Sequence, residues 1–131
     1  MIVQMFDRQD AANPVNGALP VAPSWLLHTL NALRRRKPFF CELVADNGYT
    51  LLLGVGPSGC AQCSRSDGRP PYLMAVEAGR STESQNVEFL IGNTASPVPA
   101  RYALEPATVD RIAVYFCQTG QPHPGVAWEE V

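Results

Sequence analysis

Short apolar runs separated by turn-forming residues are the feature of this sequence that most restricts its fold. Between residues 39 and 91, the runs cover 39–45, 49–55, 60–66, 72–78 and 86–91. Asp46-Asn47-Gly48 separates the first two runs, and Asn-Gly is a strong hairpin signal because it accepts positive φ at low cost. Turn signals at such near-regular spacing predict a mainly antiparallel sheet built of hairpins.

Two segments outside these runs have the spacing of apolar residues that is typical of a helix. Residues 24–37 place leucines at 26, 30 and 33 on one face, and Ser24 is the predicted N-cap. Residues 106–119 begin with a proline, which suits the first helical position, and Gly120 is placed to end that helix. Its stripe toward the core is expected to contain Val109, Ile112, Ala113 and Phe116.

These elements predict an α+β fold: a mainly antiparallel sheet of about five to seven strands with two flanking helices, at about 24–37 and 106–119. Further strands are expected at 1–6 and 126–128, and residues 7–23 are expected to form a long connection. A chain of 131 residues is the size of one domain, so residues 1–131 are predicted to fold as a unit. No window contains the roughly 18 apolar residues of a membrane span, so we expect a cytoplasmic protein without membrane contact.

The charge of the chain is unevenly distributed. The net charge is −2, which argues against a generally basic, nucleic-acid-binding surface. Residues 1–82 have a net charge of +2, whereas residues 83–131 contain two arginines and six acidic residues. An acidic region of this kind suits a basic groove on a partner protein, although an ordinary solvated surface would have the same composition.

The motifs that usually indicate catalysis or cofactor binding occur here in the wrong context. Residues 54–59 match G-x-G-x-x-G, but a dinucleotide site needs these glycines to open a helix, and Pro57 removes one N–H group. The match is interpreted as a hairpin connection, without a bound cofactor. His28 and His123 are interpreted as surface residues, and Asp67 as a turn former.

Cys60-Ala61-Gln62-Cys63 has the spacing of half a zinc site or of a redox pair. In an extended segment, however, residues at i and i+3 face opposite sides. The other possible ligands are scattered singly along the chain. We therefore expect buried, reduced cysteines and no metal.

Motifs in the second half of the chain resemble a family of bacterial immunity proteins that are encoded beside polymorphic toxins, many of which carry nucleic-acid deaminase domains. The motifs are DGRPPYLMA, GNT, PVPxxYxL, TGxP and VxWEEV, in that order, at 67–75, 92–94, 97–104, 119–122 and 126–131. The resemblance implies an α+β fold, no enzymatic activity and one cognate toxin as partner. It supplies no catalytic residue.

Candidate contacts with such a toxin were selected by residue type and by position in a loop or at the terminus: Asp67, Arg69, Tyr72, Asn93, Glu129 and Glu130, with Trp128 as an anchor or as core beneath them. One alternative is a small ligand-binding domain or enzyme with a sheet-lined pocket. Another is an RNA-binding module that uses the basic run at 34–37, although this run is better interpreted as a solvated helix end with no direct nucleic-acid contact.

Overall fold

The computed structural model describes residues 1–19, 22–78 and 86–131, and these form the predicted α+β fold. The described elements are β1 (Val3–Asp7), α1 (Pro23–Leu33), β2 (Phe39–Ala45), β3 (Tyr49–Val55), β4 (Cys60–Arg65), β5 (Tyr72–Val76), β6 (Asn86–Ile91), β7 (Thr94–Pro99), α2 (Pro106–Thr119) and β8 (Ala127–Glu130). A 3-10 turn at Ala100–Tyr102 follows β7. Among these residues, no helix has the length and apolar composition that a membrane crossing needs.

The strands form one curled sheet in the order β7-β6-β2-β3-β4-β5-β8, and β1 pairs with β2 beside β6. Neighbouring strands are antiparallel except β2 and β6, which run parallel with Phe39 opposite Leu90. Strand β7 is not among the strands predicted from the sequence. It pairs with β6 through a tight turn at Gly92 and Asn93, both of which have positive φ, and it brings the number of described strands to eight.

Both helices pack on one face of the sheet, where they bury the main core. Alternate residues of β2 and β3 point to that face, as the period of a strand requires. The buried side chains that meet them from α1 and α2 are Leu26, Leu30, Val109, Ile112, Ala113 and Phe116. The stripe predicted on the second helix is therefore confirmed, and each large side chain of this kind stabilises the fold by roughly 1.5–3 kcal/mol when fully buried.

The ends of α2 agree with the sequence prediction. The helix begins at Pro106, and Gly120 ends it in the left-handed conformation with φ 66°. The cap at its N-terminus comes from elsewhere in the chain, because Glu77, just after β5, accepts a hydrogen bond from the Glu105 N–H at 2.9 Å. Its second carboxylate oxygen accepts one from the Thr108 hydroxyl at 2.6 Å. Helix α2 thus depends on a carboxylate that is distant in sequence.

The first predicted helix is confirmed as α1, but its N-cap and its C-terminal end differ from the prediction. The helix begins at Pro23, one residue before Ser24, and no side chain caps it. It ends at Leu33, and the basic run after it is not a solvated helix end. Arg34 contacts Asp110 of α2 at 2.6 Å, and Arg36 contacts Asp7 of β1 at 2.6 Å. Two of the four cations therefore connect α1 to other elements.

Asp7 is a buried carboxylate that organises the connection after β1. Only 3% of the residue is exposed, and it accepts hydrogen bonds from the Gln9 and Asp10 N–H groups at 2.8 and 2.9 Å. Its second oxygen accepts from Asn13 at 2.9 Å and from Arg36. Burial alone would raise the pKa of Asp7, but these hydrogen bonds outweigh it and leave the pKa lowered.

Candidate functional site

The face of the sheet that is opposite the helices curls around a groove of about 490 Å³. Residues of β2, β3, β4 and β5 form its floor, and β7 forms the facing wall. Its lining is mostly apolar and consists of Phe40, Leu52, Cys60, Gln62, Met74, Ile91, Ser96, Pro97, Val98, Pro99, Tyr102 and Val131. A mainly apolar concave surface with a few polar groups is typical of a binding site.

At the end of β7, the 3-10 turn contributes Tyr102 to the lining of the groove. Tyr102 belongs to a second buried cluster on this face, with Phe40, Cys60, Met74, Phe89 and Val98. Its hydroxyl donates a hydrogen bond to Glu129 of β8 at 3.3 Å, and Arg101 forms an ion pair with the same carboxylate. The two outer strands of the sheet, β7 and β8, are therefore connected at this end.

Gly54 allows β6 to cross close to the centre of the sheet. A Cβ atom at this position would lie 2.6 Å from both the Cys60 sulfur and a ring carbon of Phe89. A larger residue would push Phe89 out of the buried cluster. The G-x-G-x-x-G segment thus connects β3 to β4, as the sequence predicted, and its first glycine is needed for packing.

Two exposed apolar side chains also line the groove. Ile91 at the end of β6 is 41% exposed, and Val131 after β8 is 54% exposed. Isolated exposed apolar residues are common on proteins, but here both residues border the same apolar groove. Continuous apolar surface of this kind often marks a contact with another molecule.

The structure places some of the predicted contact residues beside the groove. Glu129 and Tyr72 share the groove side of the sheet, because the alternation of β5 and β8 puts them on the same face as Met74 and Val131. The Tyr72 hydroxyl donates to the Gly68 carbonyl, and the Val131 N–H donates to the Tyr72 carbonyl at 3.0 Å. Their role as contacts remains a prediction.

Other predicted contacts lie away from the groove or have their polar groups already occupied. Trp128 and Glu130 point to the helix side, where Trp128 packs against the core and donates from its indole N–H to the His123 carbonyl at 3.0 Å. Asn93, in the turn between β6 and β7, exchanges two hydrogen bonds with Gln9, which follows β1. The predicted set therefore does not form a single surface.

Asp67 stabilises the turn between β4 and β5, as the sequence predicted. It accepts a hydrogen bond from the Arg69 N–H at 3.0 Å and from the Arg65 guanidinium at 2.6 Å. These two bonds, the backbone bond first, lower the pKa of Asp67. Arg69 is exposed in the same turn.

Cys60 and Cys63 lie on opposite faces of the sheet, as expected for residues at i and i+3 of a strand. Cys63 packs on the helix side and Cys60 lines the groove. Burial raises the pKa of Cys60 to about 12 and that of Cys63 to about 11, so both remain protonated thiols at neutral pH. Within residues 1–19, 22–78 and 86–131, no group of three or more His, Cys, Asp and Glu side chains is placed to hold a metal ion.

A sheet-lined pocket was expected only as an alternative, and the residues that line the groove were not identified from the sequence, although it contains a signal for them. Strand β3 is apolar at successive positions, which indicates that both of its faces are covered. The helices account for only one of these faces. Ile91, Met74 and Val131 are not among the predicted contacts with a toxin, because their common location depends on how the sheet curls.

Comparison with known proteins gives no assignment. The chain matches no protein-family model and no curated protein.

Proposed function

We propose that this chain is an immunity protein that binds and neutralises a cognate toxin, a nucleic-acid deaminase, by covering the active-site or substrate cleft of that toxin. The observation that carries the proposal is the location of the segments that resemble the immunity family. Segments 67–75, 97–104 and 126–131 are far apart in sequence, yet each contributes to the lining of one groove, through Met74, Tyr102 and Val131.

The paired strands strengthen this argument. Segment 67–75 pairs with segment 126–131 along β5 and β8, with Met74 opposite Glu129 and Ala75 opposite Trp128. Segment 97–104 contributes Arg101 and Tyr102, which contact that same Glu129 from the opposite side of the groove. Three of the five motifs of the resemblance thus meet around one carboxylate, which fits a shared binding surface.

The physical basis of binding would be apolar burial supported by charge. An apolar protrusion of the toxin that entered the groove would bury Ile91 and Val131, with a gain of about 25 cal/mol for each Å² of apolar surface. The excess of acidic residues in 83–131 would attract the basic cleft of a nucleic-acid enzyme and speed association. Protection of the producing cell requires dissociation constants on the order of nanomolar or lower.

The proposal is tested with the protein encoded by the neighbouring gene. The two proteins are co-expressed and purified, and cytosine or adenine deamination by the neighbouring protein is then measured with and without one equivalent of this chain. We expect a stable complex and loss of deaminase activity. Full activity in the presence of excess chain, or the absence of a complex, would contradict the proposal.

A second candidate, a ligand-binding domain or enzyme, is favoured by the size of the groove. About 490 Å³ lies within the range of small-molecule sites, and Gln62 and Ser96 supply polar groups among the apolar lining. Native mass spectrometry of the purified chain distinguishes the two candidates. A stoichiometric bound molecule of a few hundred daltons would favour the second, whereas the chain mass alone would favour a protein partner.

A further inference from the structure

The two outer strands of the sheet offer different edges to another molecule. On β6, the Leu90 N–H donates to the Pro38 carbonyl at 2.8 Å, toward β2. Its partner on β7, Ala95, and the alternate residues Pro97 and Pro99 therefore have their backbone nitrogens at the outer edge. Because proline has no N–H, this edge retains little capacity to pair with a further strand.

The outer edge of β8 has its hydrogen-bonding groups intact. The Val131 N–H donates to the Tyr72 carbonyl at 3.0 Å, so residues 127, 129 and 131 bond to β5 in the antiparallel register. The N–H and C=O groups of Trp128 and Glu130 consequently point away from β5. Within the part of the chain that the structure describes, no backbone group bonds to them.

We infer that the outer edge of β8 binds an extended segment of the partner protein, which continues the sheet by one strand and carries basic side chains. The inference rests on the proposed function, because the partner is the proposed toxin. Addition of a strand to an exposed edge is a common way to recognise a peptide segment, since the backbone supplies affinity and alternate side chains supply specificity.

The charges of β8 support a basic segment as the occupant. Glu129 and Glu130 are adjacent, and no described ion pair involves Glu130, which is exposed. Opposite charges on neighbouring strands stabilise a pair, whereas like charges that face each other destabilise it. Pairing of β8 with β8 of a second copy would bring four carboxylates together, so this edge disfavours self-association.

The position of the edge also connects it to the groove. A strand added beside β8 would place alternate side chains next to Glu129 and Val131, on the groove side, and the others next to Trp128 and Glu130. An apolar side chain on the groove side could therefore enter the groove beside Val131. A basic side chain on the other side would lie beside the Glu130 carboxylate.

Amide hydrogen exchange tests this register directly. In the free chain, we expect the Trp128 and Glu130 amide protons to exchange faster than those of Glu129 and Val131, because only the latter bond to β5. On addition of the protein encoded by the neighbouring gene, exchange at Trp128 and Glu130 should slow by at least about tenfold. A complex in which these two amides exchange as fast as in the free chain overturns the inference but leaves the proposed function standing.

A proline substitution isolates the contribution of the outward N–H. Glu130→Pro removes that N–H and the charge but leaves the bonds between β5 and β8, whereas Glu130→Ala removes only the charge. We expect Glu130→Pro to bind the neighbouring protein about tenfold more weakly than Glu130→Ala, the loss of about one good hydrogen bond. Ala95→Pro, at the outer edge of β7, is the matched control and should bind like the wild type.

The remaining results of these two experiments also test the inference. Equal affinities of a folded Glu130→Pro and of Glu130→Ala would overturn the inference, and if Glu130→Pro does not fold, the exchange measurement decides alone. Slow exchange of the Trp128 and Glu130 amide protons without the partner, together with a concentration-dependent dimer, would identify a second copy as the occupant. That result would overturn the inference. If the wild-type chain does not bind the neighbouring protein, the proposed function fails and the inference fails with it.

Discussion

Replacement of Asp7 by asparagine tests whether the hydrogen bonds of this buried carboxylate stabilise the fold. The substitution preserves the shape of the side chain and the bonds from the Gln9 and Asp10 N–H groups. However, Oδ2 of Asp7, which accepts from both Arg36 and Asn13, would become an amide that can only donate. The Arg36 and Asn13 donors would then lie 2.6 and 2.9 Å from the new amide group, which is itself a donor.

The expected loss of stability follows from these two hydrogen bonds. A hydrogen bond between charged groups contributes about 2 kcal/mol and a bond to an uncharged amide about 1 kcal/mol. We therefore expect Asp7→Asn to lower the free energy of unfolding by about 3 kcal/mol at pH 7, measured by urea denaturation. Asp46→Asn removes the same charge from an exposed turn residue, and it should change stability by less than about 0.5 kcal/mol.

The dependence on pH gives a second test of the same carboxylate. Because the pKa of Asp7 is lowered in the folded state, its contribution is complete above the unfolded pKa of about 3.9 and is lost as the pH falls through the folded pKa. The stability difference between wild type and Asp7→Asn should therefore shrink below about pH 4. A difference below about 1 kcal/mol at pH 7, or one that does not change with pH, would refute the reasoning.

Three further predictions concern packing, capping and thiol reactivity. Gly54→Ala should lower the free energy of unfolding by about 1–3 kcal/mol, because its Cβ would collide with Phe89; an unchanged urea midpoint would contradict this. Glu77→Ala should cost about 1–2 kcal/mol through loss of the cap on α2, whereas Glu88→Ala, at an exposed position of β6, should be nearly neutral in the same assay. The Cys60 thiol, whose pKa is raised to about 12 by burial, should resist a disulfide reagent at pH 8 and react only after denaturation; rapid labelling of the native protein would show that it is accessible.

The fold was largely predictable because local signals agreed with the packing. Turn residues and apolar runs located β2 to β6 to within about two residues, and the helix from Pro106 to Thr119 has a compatible residue at each end. The eighth strand was missed because its prolines argue against a strand. They are tolerated there because β7 lies at the edge of the sheet, with Pro97 and Pro99 on the side away from β6.

The ion pairs of the basic run and the residues that line the groove could not be predicted, because both depend on partners that are distant in sequence. Arg34 and Arg36 follow the end of α1 and contact carboxylates on α2 and β1. No local sequence pattern specifies those partners. The groove depends on the curl of the whole sheet, which brings β7 and β8 together through Arg101 and Glu129. Because the contact residues were predicted from loop position and residue type, they lie mostly in polar turns and do not include the exposed apolar residues Ile91 and Val131.

The most direct test of the central claim, that the partner binds at the groove, compares two substitutions of similar exposure. Ile91, which lines the groove, is 41% exposed, and Leu27 on α1 is 37% exposed on the helix side. The affinities of Ile91→Asp and Leu27→Asp for the protein encoded by the neighbouring gene are measured by calorimetry. We predict a loss of at least about tenfold for Ile91→Asp and wild-type affinity for Leu27→Asp. The reverse order, or equal affinities, would contradict the assignment of the groove as the binding surface.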